Sequence, residues 1–311
     1  MAQDLAGSLF KHPLWQFSRP HTIFGTAISL VGILGVALSY GLGLPLAGWN
    51  ILQTLGVALV SCLLANVYIV GLNQITDVAI DRINKPYLPL AQGSLTLKEA
   101  QRVVIFCLVA ALGIALTQNI FLFATVAASI LIGTAYSLPP LRLKRFPLWA
   151  SFCIFVVRGL IVNLGLFGYF VHALDYPTVD WVRAGVLMGF MLVFSVVIAL
   201  FKDIPDTVGD QKNNIQTFSL QWGRIQVFRL CIALLAADYL GMALGSGIVV
   251  GGLGRGFLVL GHGLLLWLLL WNRARSDLDQ PAEFTRFYKF IWQLFYLEYL
   301  LFPLGCLLGN F

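Results

Sequence analysis

Residues 51–86 read ILQTLGVALVSCLLANVYIVGLNQITDVAIDRINKP. From Ile51 to Leu72 no side chain is charged, and a hydrocarbon core ~30 Å thick takes about 20 helical residues to cross. Lipid offers an open backbone no hydrogen-bond partner, so such a run crosses as a helix. Immediately after it come Asn73, Asp77 and Asp81 at i, i+4 and i+8, one stripe of a helix that is expected to continue past the apolar run. A membrane span with a row of oxygens on its end is the unit from which the rest of the chain is read.

Comparable apolar runs lie near 22–40, 102–117, 120–138, 150–171, 182–201, 226–245, 248–271 and 288–308. With the first they predict an all-α, polytopic membrane protein of about nine spans. Of the 311 residues 59% are hydrophobic and 11% charged, and the mean hydropathy is +0.85, a balance suited to lipid rather than water. Between spans three and four only Gln118 and Asn119 interrupt the run, which predicts a helical hairpin with a tight turn. Residues 8–20, SLFKHPLWQFSRP, are too short to cross and mix Lys11 and Arg19 with Leu14, Trp15 and Phe17, as an interfacial helix does. No cleavable signal or transit peptide is expected ahead of them. The organisation expected is a segment 1–21 at the interface followed by a single membrane domain, 22–311.

The net charge of +6 is a topology signal rather than a nucleic-acid footprint. Lys11, Arg19, Arg82, Lys85, Lys98, Arg102, Arg142, Lys144, Arg145, Lys202, Lys212, Arg224, Arg229, Arg273, Arg275, Arg286 and Lys289 fall before span one or beside the loops after spans two, four, six and eight. Only Arg183 and Arg255 fall near the opposite loops. The positive-inside rule places the first group in the cytoplasm or a plastid stroma. Cys62, Cys107, Cys153, Cys231 and Cys306 stand alone inside apolar runs, with no metal spacing, and read as small buried hydrophobes. The apolar surface is expected with or without a second subunit, so oligomeric state is left open.

A second acidic cluster, FKDIPDTVGD, follows span six: Asp203, Asp206 and Asp210 at i, i+3 and i+7, with Pro205 able to kink the helix between them. Asp77 and Asp206 are separated by 129 positions and four spans, so both clusters open on one side. This spacing suggests two related four-helix halves. An aspartate placed centrally in a membrane helix costs about 2.5–3.5 kcal/mol, and neighbouring carboxylates repel, so the clusters call for cations. Hard oxygen ligands without Cys or His favour Mg²⁺, which is held by few carboxylates and completed by water and phosphate oxygens. Solvated acids at helix ends are the alternative; two clusters on one face count against it.

A third cluster on the same side, TAYSLPPLRLKR, carries Tyr136, Arg142, Lys144 and Arg145, a basic loop able to hold phosphate oxygens or simply to anchor the chain. Lys202 adjoins Asp203, and Lys85 follows the first acid stripe. Arg158 lies inside span five with Asn163 beyond it, and an intramembrane charge is a functional candidate. His21 in SRPHT reads as a structural residue.

Asn73-x-x-x-Asp77-x-x-x-Asp81 and the second Asp-rich motif resemble those of the UbiA-type intramembrane aromatic prenyltransferases. FSRPHT, NVYIVGLNQITDVAIDRINKPYLPLA, GTAYSLPPLRLKRF, VIALFKDIPDTVGD and FYKFIWQLFYLEYL are similar to the homogentisate phytyltransferases among them, over nearly the whole chain. The resemblance implies a nine-helix bundle around a central cavity and Mg²⁺-dependent transfer of a phytyl chain from phytyl diphosphate to homogentisate with loss of CO₂, in tocopherol biosynthesis. It implies metal ligation by Asn73, Asp77, Asp81, Asp203, Asp206 and Asp210, with Asp77, Asp81, Asp206 and Asp210 central to catalysis. Diphosphate contacts are implied for Tyr136, Arg142 and Lys144, to which Lys85 and Lys202 are added as neighbours. Asp203 stands where relatives often carry Asn. Homogentisate is an anion, and Arg158 with Asn163 is the candidate site for it. Geranylgeranyl or solanesyl diphosphate are alternative donors. A secondary transporter is the alternative of another class, disfavoured because these acids sit at helix ends on one side. A cyanobacterial plasma or thylakoid membrane, or a plastid membrane, is the expected setting.

Overall fold

A computed structural model of the chain describes residues 12–41, 48–176, 179–212 and 215–310. Among them there is no strand, and nine helices are long and apolar enough to cross a bilayer: Pro20–Leu38, Gly48–Thr76, Leu97–Leu116, Ile120–Ser137, Pro147–Ala173, Val182–Phe201, Arg224–Val249, Gly252–Ala274 and Ala282–Leu308. They are called spans one to nine. Each expected run overlaps one of them. The eighth was expected from 248, but span seven continues through Val249 and the turn falls at Val250 and Gly251, with Gly252 at φ +51°, a conformation that favours glycine.

Local signals set the ends. Span three opens on a capping box in which Thr96 Oγ1 accepts from Glu99 N and the Glu99 carboxylate accepts from Thr96 N. The hairpin into span four turns where it was expected: Asn119 Oδ1 accepts from Phe121 N at 3.1 Å and Leu122 N at 3.3 Å. Pro20 and Pro147 sit at the first turn of spans one and five, where no donor is lost.

One contiguous core runs from Phe17 to Cys306, while Ile248, Leu260 and Leu244 are 75–78% exposed on the outside, as side chains facing lipid are. Span one packs against spans two, five and nine. Its approach to span nine depends on Gly32, where a Cβ would lie 2.3 Å from the Tyr299 carbonyl oxygen. At one end of the bundle Arg183 joins spans one, six and nine, donating to Ser39 and Asn310.

Two features go beyond the sequence reading. Part of the expected interfacial helix, residues 8–11 with Lys11, lies outside the described residues. The rest forms a short helix, Pro13–Phe17, that docks on the bundle: Phe17 is fully buried and its carbonyl accepts from Gln74 Nε2 at 2.6 Å. Second, ionisable groups also occur within spans seven to nine. His262 Nε2 stands 3.1 Å from Glu298 Oε1, both side chains fully buried, and Asp238 and Tyr239 lie near them.

Candidate functional site

Both acid-bearing helices break where their acids begin. Span two ends at Thr76, Asp77 leaves helical geometry at φ −116°, ψ 13°, and a short helix Val78–Asn84 resumes. Span six ends at Phe201, residues 202–206 form turns, and Thr207–Lys212 is helical again. The expected unbroken stripes are therefore bent. Pro205 explains the second break, since it lacks a donor and its ring disfavours helix at Ile204. The bends let the two short helices face each other. Asn84 joins them: its Oδ1 accepts from Gly209 N at 2.8 Å and its Nδ2 donates to Asp210 Oδ1 at 3.5 Å.

The loop after span four lays cations across this junction. Pro139 and Pro140 follow the helix end, Arg142 takes left-handed geometry at φ 39°, and a single turn Leu143–Arg145 points Lys144 inward. Lys144, buried, donates to Asn73 Oδ1 at 3.2 Å, Thr76 Oγ1 at 2.8 Å and Asp77 Oδ1 at 2.6 Å. Arg142 reaches Asp77 Oδ1 at 3.4 Å. Lys85 pairs with Asp206 across the two motifs, and Lys202 with Asp203 at 2.5 Å. Arg145 is exposed and pairs with no carboxylate among the described residues.

Burial dominates the electrostatics. It pushes the Asp81 carboxyl up to about 6, with Arg19 and Lys85 opposing and Asp77 and Asp206 adding to the rise. Asp210 is pushed to about 7 by burial, reinforced by Asp203 and Asp206. Burial also pulls the Lys144 ammonium down despite Asp77, whereas for Lys85 burial, the largest single effect, is overcome by the charge and hydrogen bond of Asp206 together with Asp81, and the ammonium is held up. Crowded carboxylates kept from water in this way favour a cation.

The donor set suits a hard one. Among the described residues no three His, Cys, Asp or Glu side chains close on one point, so the acids do not form an all-protein cage. Mg²⁺ does not ask for one, being held by one or two carboxylates plus water and phosphate oxygens. Asp81 Oδ2 is buried with no hydrogen-bond partner among the described residues, an oxygen available to such an ion.

A cavity of about 260 Å³ opens between spans one, two, four and five. Arg19, Asn73, Tyr136 and Lys202 line its polar end, and Leu30, Val126 and Leu166 are among the apolar groups further in. Tyr136 lies beside Lys202 and Asp203. Arg158 lines the wall, its guanidinium over the rings of Trp292 and Phe295 at 4.9 and 5.5 Å. Asn163 is not on the cavity. Its amide is filled by the protein, donating to the carbonyls of Arg158 and Gly159 and accepting from Tyr299, so the pairing of Arg158 with Asn163 as a direct contact is corrected to one of support. His21 meets Trp292 edge-on at 5.2 Å, the structural role expected.

Sequence reasoning singled out Asn73, Asp77, Asp81, Lys85, Tyr136, Arg142, Lys144, Lys202, Asp203, Asp206 and Asp210, which lie together at this end of the bundle. It missed Asn84, Arg19 as a cavity residue, and Tyr299. Asn84 was within reach, since it continues the Asn73–Asp77–Asp81 stripe by three more residues.

A model of the UbiA prenyltransferase family matches residues 26–294. Homogentisate phytyltransferase of Synechocystis sp. is 48% identical over 297 residues, covering 96% of each chain. Homogentisate geranylgeranyltransferase of Triticum aestivum is 40% identical over 294 residues, 93% of this chain and 71% of the relative. Among solved structures, a UbiA homologue from Archaeoglobus fulgidus bound to GPP and Mg²⁺ superposes with a TM-score of 0.63 at 16% identity, over 95% of this chain and 99% of that one; this likeness is one of fold.

Proposed function

This chain belongs to the UbiA prenyltransferase family, and from that premise we propose that it moves a phytyl group from phytyl diphosphate to homogentisate with loss of CO₂, giving 2-methyl-6-phytylbenzoquinol in tocopherol biosynthesis. The observation that carries the proposal is the convergence of two acid-bearing segments and a basic loop on the polar end of an otherwise apolar cavity. The near full-length likeness to the phytyl-transferring relative supports the choice of substrates.

Asn73, Asp77, Asp81, Asp203, Asp206 and Asp210 are the groups that would hold Mg²⁺, which neutralises the charge of a departing diphosphate when bound. Lys85, Tyr136, Arg142, Lys144 and Lys202 stand at the same end and would meet the phosphate oxygens, where charge grows as the allylic C–O bond breaks. The apolar wall takes the prenyl chain and keeps water from the allylic cation while the electron-rich ring attacks it. The basic loops argue for a cytoplasmic or stromal mouth, in a cyanobacterial plasma or thylakoid membrane or a plastid membrane. A geranylgeranyl donor is the second reading, favoured by the wheat relative.

Purified protein in detergent, given labelled homogentisate, Mg²⁺ and in turn phytyl, geranylgeranyl and solanesyl diphosphate, tests this. Prenylated quinol that vanishes with EDTA is expected, with the highest kcat/KM for phytyl diphosphate. A higher value for another donor replaces the donor; no product from any donor in folded protein overturns the reading.

A further inference from the structure

Span five is not a regular helix. Between Val156 and Ile161 it forms a π turn, and Arg158 and Gly159 lie within it. Such turns add a residue to the helix, displace the usual carbonyl partners and gather at functional sites. Here Asn163 Nδ2 donates to the carbonyls of Arg158 and Gly159, each at 2.9 Å, and Asn163 Oδ1 accepts from the Tyr299 hydroxyl at 2.8 Å. Asn163 is 2% and Tyr299 0% exposed. The turn in span five is thus braced from span nine. Gly159 lets span six close on it, since a Cβ there would stand 2.8 Å from the Leu192 Cα.

The braced turn presents the Arg158 guanidinium to the cavity between two aromatic faces of span nine. Lys85, Arg142, Lys144 and Lys202 each meet an aspartate. No carboxylate of the described residues pairs with Arg158. A guanidinium drawn partly out of water, stacked on rings and lacking an anion calls for a ligand to supply one. Its planar fork matches a carboxylate, and the adjoining rings suit an aryl group.

We infer that Arg158 is the carboxylate subsite for the aromatic-acid acceptor, and that Asn163 and Tyr299 are positioning residues that set its place. This rests on the prenyl-transfer reading. The diphosphate and the acceptor then use separate cations of one cavity, and the bond between Tyr299 and Asn163 influences only the second substrate.

Apparent KM for homogentisate and for phytyl diphosphate, measured with the full chain and Mg²⁺, tests this in Arg158→Leu, Arg158→Lys, Tyr299→Phe and the double variant Arg158→Leu/Tyr299→Phe. Arg158→Leu should raise the homogentisate KM about 50-fold, the scale of a lost charged hydrogen bond, with the donor KM within about twofold. Tyr299→Phe should raise it about fivefold, and Arg158→Lys should fall between. The double variant should match Arg158→Leu alone, because Tyr299 acts through Arg158. Homogentisate methyl ester, which has no carboxylate to offer Arg158 or to lose as CO₂, should compete with homogentisate equally weakly in wild type and Arg158→Leu. Equal rises for both substrates, or a larger rise for the donor, would make Arg158 a diphosphate ligand and overturn the subsite. Additive losses in the double variant would overturn the positioning role, leaving Tyr299 as packing. Wild-type protein that prenylates no phenolic acid would remove the underlying reading itself, an outcome distinct from active wild type with an unselective Arg158→Leu. If Arg158→Leu is recovered unfolded, Arg158→Lys and Tyr299→Phe carry the same KM comparison.

Discussion

Asn84 reaches from the first acid-bearing segment to the second and accepts the Gly209 N–H at 2.8 Å. That bond ties the chain after span two to the chain after span six, with Asp81 and Asp210 on either side. Gly209→Ala would set a Cβ 2.2 Å from Asn84 Oδ1, so the Asn84 amide would have to turn away and give up the bond. Supporting hydrogen bonds of this kind are worth about 10–100-fold in activity or metal affinity. Gly209→Ala and Asn84→Ala are each expected to lose kcat/KM within that range while thermal unfolding in detergent hardly changes. Wild-type kinetics in both would show that the two segments need no tie.

Asp81 is 5% exposed with an unpartnered oxygen. Burial and the neighbouring Asp77 and Asp206 disfavour its charged form, so Asp81→Asn, which removes that charge, should make the metal-free protein more stable at neutral pH while abolishing transfer. Wild type gains about 2.7 kcal/mol from a ligand at 100 times its Kd; Asp81→Asn should lose most of the gain from Mg²⁺ plus a non-hydrolysable prenyl diphosphate. Differential scanning fluorimetry with and without both additions reads the two effects. A variant destabilised without metal yet still stabilised by it would show that Asp81 is satisfied by the protein.

The spans were legible because hydrocarbon imposes one requirement on every stretch of about 20 residues, and the turn at Asn119 because its cap is local. The acid stripes were legible as spacing, but not their bends, which follow from how the two segments meet. Asn163 shows the limit most clearly. Its position inside a span marked it as functional, yet whether its amide faced the cavity or the helix depended on the π turn and on Tyr299, 136 residues away. Tyr299 itself, in LFYLEYL, is indistinguishable from any membrane aromatic. Asp238 and Glu298 are visible in the sequence inside apolar runs, but the partner of Glu298, His262, comes from another span, 36 residues away.

Asp77 and Asp206 separate activity from stability. The side chains of Lys144 and Asp77 are 5% and 11% exposed, those of Lys85 and Asp206 26% and 15%. Removing one partner of a buried pair costs about 3–5 kcal/mol because the other charge is stranded. Asp77→Ala strands Lys144 and should lower the unfolding temperature strongly; Asp206→Ala leaves Lys85 better placed to find water and should lower it less. Both should abolish transfer. Asp77→Ala in the background Lys144→Met should regain stability without regaining activity, and an active Asp206→Ala protein would remove the second acidic cluster from the site.

The buried pair of spans eight and nine should behave in the opposite way, affecting stability without affecting catalysis. His262 Nδ1 lies 2.6 Å from the Leu258 carbonyl oxygen and must carry a proton to bond there. His262 Nε2 and Glu298 Oε1 then share one further proton, on the imidazole or on the acid, and neither side chain lines the cavity. Glu298→Gln supplies an amide N–H to a neutral Nε2 and should keep the wild-type unfolding temperature. Glu298→Ala leaves Nε2 buried and unpaired, at about 1–3 kcal/mol if the pair is neutral and about 3–5 kcal/mol if it is ionic. Loss of stability in Glu298→Gln equal to that in Glu298→Ala identifies the ionic form, because an amide cannot replace a carboxylate beside an imidazolium. Neither variant should shift KM for donor or acceptor, since the groups lie outside the cavity. A selective change in either KM would mean that spans eight and nine transmit strain to the Tyr299 end of the site.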